Sequence, residues 1–265
     1  MESLIANTRY NASLVECGAV IQESLILLYE FQKNPDWKTI KKIAYSQNIL
    51  SKRSSTRTKK ILRSFRKRFV DQGELPNVYD LSCFLKRDLS SAAKTQSLFP
   101  YVASSDALFS KAVECLVSPQ FEKSNADANL SKSEVKTFLE ELEVTHYEIQ
   151  SWSPGLVKSW IQHFLAVLRE FDLMEKTPRT SLKKLMIRRE VFAFFGIWLL
   201  TNERSGFELL NHPIWNKLLL DKDEIEYLLL ECQKMGWIDY ARAGDVISMD
   251  TPYASLKEWI YDLGP

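Results

Sequence analysis

Between Trp37 and Val70 the chain holds twelve lysines and arginines, and no Asp or Glu. They are Lys38, Lys41, Lys42, Lys52, Arg53, Arg57, Lys59, Lys60, Arg63, Arg66, Lys67 and Arg68. Like charges at this density repel one another unless an outside polyanion neutralises them, so the chemistry they suit best is binding nucleic acid. Ser54, Ser55 and Thr56 add hydroxyls able to donate to phosphates, and an arginine can in addition read guanine. So much cation with so little Asn or Gln implies weak sequence preference. Other residue types do not assemble into a reactive set. His146, His163 and His212 stand in no H-E-x-x-H setting, and no G-x-S-x-G occurs. Cys17, Cys83, Cys115 and Cys232 form no C-x-x-C pair and have no histidine beside them, unlike a zinc site. Glu140, Glu141 and Glu143 make one polar helix face rather than an alternating metal loop. Only 8 glycines occur, the closest two being Gly236 and Gly244, so no phosphate-cradling glycine loop can be written. The expectation is a protein that is not an enzyme and uses no metal or small-molecule cofactor.

Helical elements must position these cations, because the apolar spacing is three and four residues nearly throughout. The spacing predicts a first helix from Cys17 to Lys33, stopped by Asn34-Pro35, and a second from an Asp36 N-cap to Asn48. A third runs from Ser54 or Ser55 to Val70, with Ile61, Leu62, Phe65 and Phe69 inward and Lys59, Lys60, Arg63, Arg66 and Lys67 outward. Arg57 and Arg68 fall on one flank. Three helices, the last two joined by a tight turn, form a helix-turn-helix-like unit. In that reading Lys52, Arg53, Ser54, Ser55, Thr56, Arg57 and Lys60 face the groove, while Lys38, Lys41, Lys42, Arg63, Arg66 and Lys67 anchor phosphates.

Further helices are expected over Val78–Phe99 with a break near Leu89, Asp106–Val117, Ser131–Ile149, Ser153–Phe171, Arg189–Leu200, Pro213–Leu220 and Lys222–Met235. Ser131 with Glu134 has the capping-box spacing, and Ser153-Pro154 the N-cap with proline at the first helical position. Trp237–Tyr240, the Ala243-Gly244-Asp245 turn and Val246–Met249 alternate as a small β-hairpin would, giving the C-terminal region a winged-helix look. The fold class is therefore all-α, mainly helical, with one possible hairpin. The polar stretch Ser118–Lys132 suggests a division into an N-terminal helical domain, 1–118, and an acidic C-terminal one, 131–265.

The formal net charge of +1 averages over opposed regions, since outside the basic window 23 basic face 34 acidic residues, a net −11. The candidate recognition helix of the winged segment, Asp221–Lys234, is itself acidic and would be repelled by a phosphate backbone; Trp215, Trp237, Tyr240 and Trp259 around it read as core. Val191–Leu200 is apolar, but spanning a membrane takes ~20 residues, and charged residues close both ends, so it reads as a core helix. The opening MESLIANTRYNASLVECGAV lacks the basic and apolar regions of a secretory signal, and the expected compartment is the cytoplasm, with free thiols. Two rival partners remain for the cationic strip. One is RNA, for which only Tyr45 in the window could be spared for stacking; the other is an acidic protein surface, which would make the chain a scaffold.

Tyr10-Asn11, Gly18-Ala19, Glu23-Ser24, Tyr29, Asp36-Trp37, Asn48-Ile49-Leu50, Lys52-Arg53-Ser54-Ser55 and Arg66-Lys67-Arg68-Phe69 resemble the BrxA family of the bacterial BREX phage-defence systems. Ser153-Pro154, Val167-Leu168-Arg169-Glu170 with Asp172-Leu173, and Leu256-x-x-Trp259 extend the resemblance. It implies an all-helical, non-enzymatic protein similar in fold to the NusB antitermination factors, binding double-stranded DNA beside the methyltransferase and ATPase components of BREX. It would place the family's basic helix-turn-helix region at Lys52, Arg53, Arg57, Lys60, Arg63 and Lys67. The long C-terminal half with its hairpin departs from a purely helical description.

Overall fold

The computed structural model describes residues 9–122, 128–202, 206–244 and 246–264. Residues 1–8 of the opening stretch, 123–127 of the polar stretch, Glu203 and Arg204 beyond the apolar run, and Asp245 of the hairpin turn lie outside the described residues. The architecture is helical with one two-stranded antiparallel sheet, the mainly-α class with a small hairpin. Two compact units divide the chain. One takes Met1–Val20 and Val102–Leu185, the other Ile21–Tyr101 and Met186–Pro265. The stretch Ser118–Lys132, expected between two domains, thus lies inside the first of these units. Its beginning, Ser118–Glu122, is still helical.

In the unit that holds the basic window, the expected first helix is α2 (Ile21–Lys33), preceded by a separate short α1 (Leu14–Cys17) of the other unit. The break comes at Gly18, whose φ of 64° and ψ of −150° no helix can continue, and Val20 follows at φ 49°. α3 (Trp37–Ser46) starts where the Asp36 carboxylate accepts the Thr39 N–H at 2.8 Å. α4 (Ser55–Phe65) buries Thr58, Ile61, Leu62 and Phe65, then widens into a π-helical turn, Arg66–Val70. α5 (Val78–Leu85) is capped by the Asn77 side chain and α6 covers Ser91–Ser105, so the break expected near Leu89 is present.

The centre of this unit is α12 (Arg189–Leu200), the apolar run read as a core helix, with Val191 through Ile197 all buried. Phe194 stacks on Phe84 of α5 at 4.5 Å, and Phe192 on Trp215 at the same distance. Short α13 (Gly206–Leu210), which the spacing did not indicate, and α14 (Pro213–Lys217) lead to α15 (Lys222–Lys234), opened by an Asp221/Glu224 capping box. Strands β1 (Asp239–Ala243) and β2 (Val246–Asp250) pair antiparallel, Tyr240 facing Met249, and α16 (Leu256–Asp262) closes the chain.

In the other unit, α7 (Ala107–Ala112) runs through a second π-helical turn, Val113–Val117, into α8 (Ser118–Glu122). The Ser131/Glu134 capping box opens α9 (Lys132–Glu143) as expected, but the helix ends at Glu143 rather than Ile149. Thr145 and His146 both donate to the Leu142 carbonyl there, tightening the last turn before a short α10 (Tyr147–Gln150). Ser153 and Pro154 open the long α11 (Pro154–Glu170), whose Trp160, Phe164 and Leu168 are fully buried.

Candidate nucleic-acid interface

Folding turns the basic window into a cationic face on α3, α4 and the turn after them. α4 docks by an apolar seam: Trp37 of α3 stacks on Phe65 at 5.8 Å, and tilted ring contacts join Phe65 to Phe69 at 5.0 Å and Phe69 to Tyr101 at 5.5 Å. The Tyr101 hydroxyl donates to the Pro76 carbonyl at 2.7 Å; complete burial pushes its pKa well above the usual phenol value. With the seam held inward, Lys38, Lys41, Lys42, Arg53, Ser54, Ser55, Thr56, Lys59, Lys60, Arg63, Arg66 and Lys67 are all exposed.

Three of the expected cations are placed differently. Arg68 is 5% exposed, because the 100° spacing that put it on the flank of the strip ends at Phe65, where the backbone widens into the π turn. Lys52 and Arg57 are half-buried beside α2. Lys52 Nζ lies 2.6 Å from Glu23 Oε1. Burial tends to raise the Glu23 carboxyl, but the Lys52 hydrogen bond and the charges of Lys52 and Arg57 outweigh it and hold the pKa below the usual value. A window without acids of its own is thus partly supplied with them by its neighbours, since Asp71 likewise sits 3.2 Å from Arg66. No acidic partner among the described residues meets Lys41, Lys42, Arg53, Lys59, Lys60 or Lys67. These six form the unneutralised part of the strip. Tyr45 is exposed beside them at 43%.

The α3–α4 connection differs from a tight turn. It spans residues 47–54, twice the ~3–4 residues of a helix-turn-helix. Asn48 and Ser51 adopt left-handed conformations, φ 46° and 50°, and the Asn48 side chain accepts the Lys52 N–H at 3.2 Å while Leu50 is buried as a plug. The result is an ordered connection that displays Arg53. Ser54 stands at the N-cap position of α4, yet its side chain makes no capping bond.

In the C-terminal module α15 is acidic, with four carboxylates against two lysines. Trp215, Trp237, Tyr240 and Trp259 are all buried, as the core reading expected. Large apolar residues that do face outward there include Phe207, Tyr227, Leu230, Met235, Val246 and Tyr261, which nothing in their spacing distinguished. Tyr240 donates to Glu226 at 3.0 Å, and Arg242 lies 3.6 Å from the same carboxylate.

The remaining reactive types stay apart. His146 packs 4.5 Å from the Tyr10 ring and 3.7 Å from Glu148, and His163 Nδ1 is 2.8 Å from the Ser159 carbonyl on its own helix. Cys17, Cys83 and Cys232 are buried, burial raising the Cys232 thiol to about 12; only Cys115 is exposed. No cluster of three His, Cys, Asp or Glu able to hold a metal occurs among the described residues, and no helix among them is long and apolar enough to cross a membrane.

A family model described as BrxA matches residues 8–196 of the chain. That span includes the whole cationic strip and stops inside α12, before α15 and the hairpin. Among solved structures, an uncharacterized protein from Magnetospirillum magneticum is similar, with a TM-score of 0.61 at 16% identity; the likeness covers 80% of this chain and 98% of that one, and is one of fold. No curated protein matches the chain.

Proposed function

From a chain that belongs to the BrxA family, and is thereby a BREX phage-defence protein, we propose a non-enzymatic accessory role: binding double-stranded DNA through the α3–α4 cationic face with weak sequence preference. The observation that carries this reading is the set of exposed cations, Lys41, Lys42, Arg53, Lys59, Lys60 and Lys67, without acidic partners among the described residues. A phosphate backbone supplies the missing counter-charges and releases its condensed ions in return. The acidic α15 and the exposed Phe207, Tyr227 and Val246 suit the C-terminal module to protein partners, such as other BREX components, rather than to DNA.

With five or six phosphates contacted, log K should fall against log salt with a slope of about −5. The measurement is binding to a short random duplex from low to moderate salt, for the native chain and for Lys59→Glu/Lys60→Glu/Lys67→Glu. All three side chains project into solvent, so the variant should keep its fold. Equal affinity for the two proteins would overturn the assignment. Single-stranded RNA as competitor tests the rival partner: displacement of the duplex by RNA at equal nucleotide concentration would move the assignment to RNA. A pull-down that survives nuclease but fails with the variant would move it to an acidic protein.

A further inference from the structure

A second stretch, Lys176–Arg189, contains six cations (Lys176, Arg179, Lys183, Lys184, Arg188 and Arg189) and again no Asp or Glu. Its first part lies in the unit that does not hold α3 and α4. That unit is acidic as a whole, with 11 basic against 14 acidic residues, so a cationic element on it stands out.

The backbone here is an ordered hairpin-like loop rather than a slack connection. Met174 and Leu182 form an antiparallel bridge, Glu175 N–H donates to the Ser181 carbonyl at 2.9 Å, and Lys183 N–H to the Leu173 carbonyl at 2.9 Å. At the tip, Arg179 N–H closes a turn on the Lys176 carbonyl at 3.1 Å. A second layer pins the outer side: Leu130 N–H donates to Thr180 and Leu182 N–H to Ala128. The base is held by one guanidinium from the last turn of α11. Arg169 donates to the Leu165 carbonyl at 3.2 Å, to the Glu175 carbonyl at 3.1 Å and to the Arg179 carbonyl at 3.3 Å. An arginine fork spent on three carbonyls fixes the loop before any partner arrives, which lowers the ordering cost of binding.

What the loop presents is Lys176, Thr177, Pro178 and Arg179, all exposed, with no apolar anchor larger than proline. Protein interfaces draw their energy from buried aromatic and aliphatic anchors; a phosphate backbone asks only for charge and donors. The local acids do not cancel the tip. Glu175 pairs with Arg179 at 3.0 Å and Asp172 with Lys183 at 2.9 Å, but Arg179 is 74% and Asp172 74% exposed, so water and phosphate compete freely for both pairs.

We propose that the Arg169-braced Lys176–Arg179 turn is a second nucleic-acid contact, gripping the phosphates of duplex DNA from the unit that lacks the main strip. This inference rests on the DNA-binding reading of α3 and α4. Arg169 is a positioning residue: it holds the turn and touches no phosphate itself.

The test uses the full chain, a random duplex and salt titration, with Lys176→Glu/Arg179→Glu as the main variant. The expected result is a log–log slope shallower than the native one by about 1.8, the share of two phosphate contacts, and affinity lower by about tenfold at low salt. Arg169→Lys keeps the charge but cannot bridge three carbonyls; it should lower affinity with the slope unchanged, while Arg179→Lys should bind almost as the native chain does. A native slope and affinity for Lys176→Glu/Arg179→Glu, together with weakened binding by Lys59→Glu/Lys60→Glu/Lys67→Glu, would overturn this contact and leave the main strip standing. Absence of salt-dependent duplex binding by the native chain would overturn both.

Discussion

Glu23→Gln is the substitution that asks most sharply how the strip works, because Glu23 withholds charge from it. Lys52 is bonded to Glu23 at 2.6 Å with the two side chains 30% and 17% exposed, and Arg57 adds its field to the same carboxylate. In the native protein Lys52 is therefore neutralised from within and should release few counterions on binding. The amide keeps the shape of the site and removes the charge. One further phosphate contact then becomes available, and the salt slope should steepen by about 0.9, from about −5 to about −6. Across a fourfold rise in salt, the variant's advantage over the native chain should shrink by about 3.5-fold.

The same change has a stability signature whose sign is fixed. The folded-state carboxyl titrates below its ordinary value of 4.5, so the pair stabilises the native state above that pH, and the contribution is lost as pH falls through the lowered value. Its size is about 1 kcal/mol, below the usual range for a charged hydrogen bond and at the upper end for an exposed ion pair, because water still reaches the lysine. Glu23→Gln should therefore melt lower than the native chain at neutral pH, and the gap should close in acid. Fluorescence anisotropy against salt and thermal melts against pH make the two measurements. An unchanged slope would refute the claim that Glu23 holds Lys52 out of the interface, and weaker binding at every salt would mean that Glu23 positions Lys52 for DNA instead.

Four other outcomes follow from the packing. Tyr101→Phe leaves the buried Pro76 carbonyl without its donor and should cost about 1–3 kcal/mol in urea unfolding; in the native chain Tyr101 should stay un-ionised in a spectrophotometric titration until the protein unfolds. Phe194→Ala removes the ring stacked on Phe84 and should cost about 3–5 kcal/mol, enough to see as a large drop in denaturation midpoint. Gly18→Ala meets no close atom, its nearest neighbour being Glu170 Oε1 at 3.7 Å, yet it should cost about 1–3 kcal/mol because φ 64° with ψ −150° is reserved for glycine. A thiol reagent under native conditions should modify Cys115 rapidly, with Cys17, Cys83 and Cys232 reacting only on unfolding.

What could be read along the chain was what local physics decides. Asp36, Ser131 and Ser153 cap the helices their spacing announced, since a cap needs only the next three residues. The inward face of α4 followed from Ile61, Leu62 and Phe65 at three- and four-residue intervals, and with it the outward lysines. The errors fall where backbone leaves the 3.6-residue period or where partners come from afar. Gly18 and the five-residue Arg66–Val70 π turn are short departures that a periodic template steps across, and the second of these carries Arg68 out of the strip. The division into units interleaves residues 1–20 with 102–185, an arrangement that no composition shift at Ser118–Lys132 could disclose.

In the sequence, the absence of acid between Trp37 and Val70 left all twelve cations without a counter-charge in the window. Folding ranks them: Lys52 and Arg66 meet Glu23 and Asp71, Arg68 is buried, and Lys41, Lys42, Arg53, Lys59, Lys60 and Lys67 are left facing water without an acidic partner among the described residues. The unit that holds them has 24 basic and 20 acidic residues, a net of only +4, and outside the twelve-cation window its 12 basic residues stand against 20 acidic ones, so its positive surplus lies within the window. A field focused in this way steers and holds a polyanion more effectively than the same charge evenly dispersed. It follows that lysine-to-glutamate changes on α4 should weaken DNA binding several times more than the same change at Lys217. Lys217 is half-buried, its pKa lowered by desolvation despite the opposing charge of Glu74, and it contributes little to the outer field. Equal losses from the two positions would show that net charge alone, and not its arrangement on α4, governs binding.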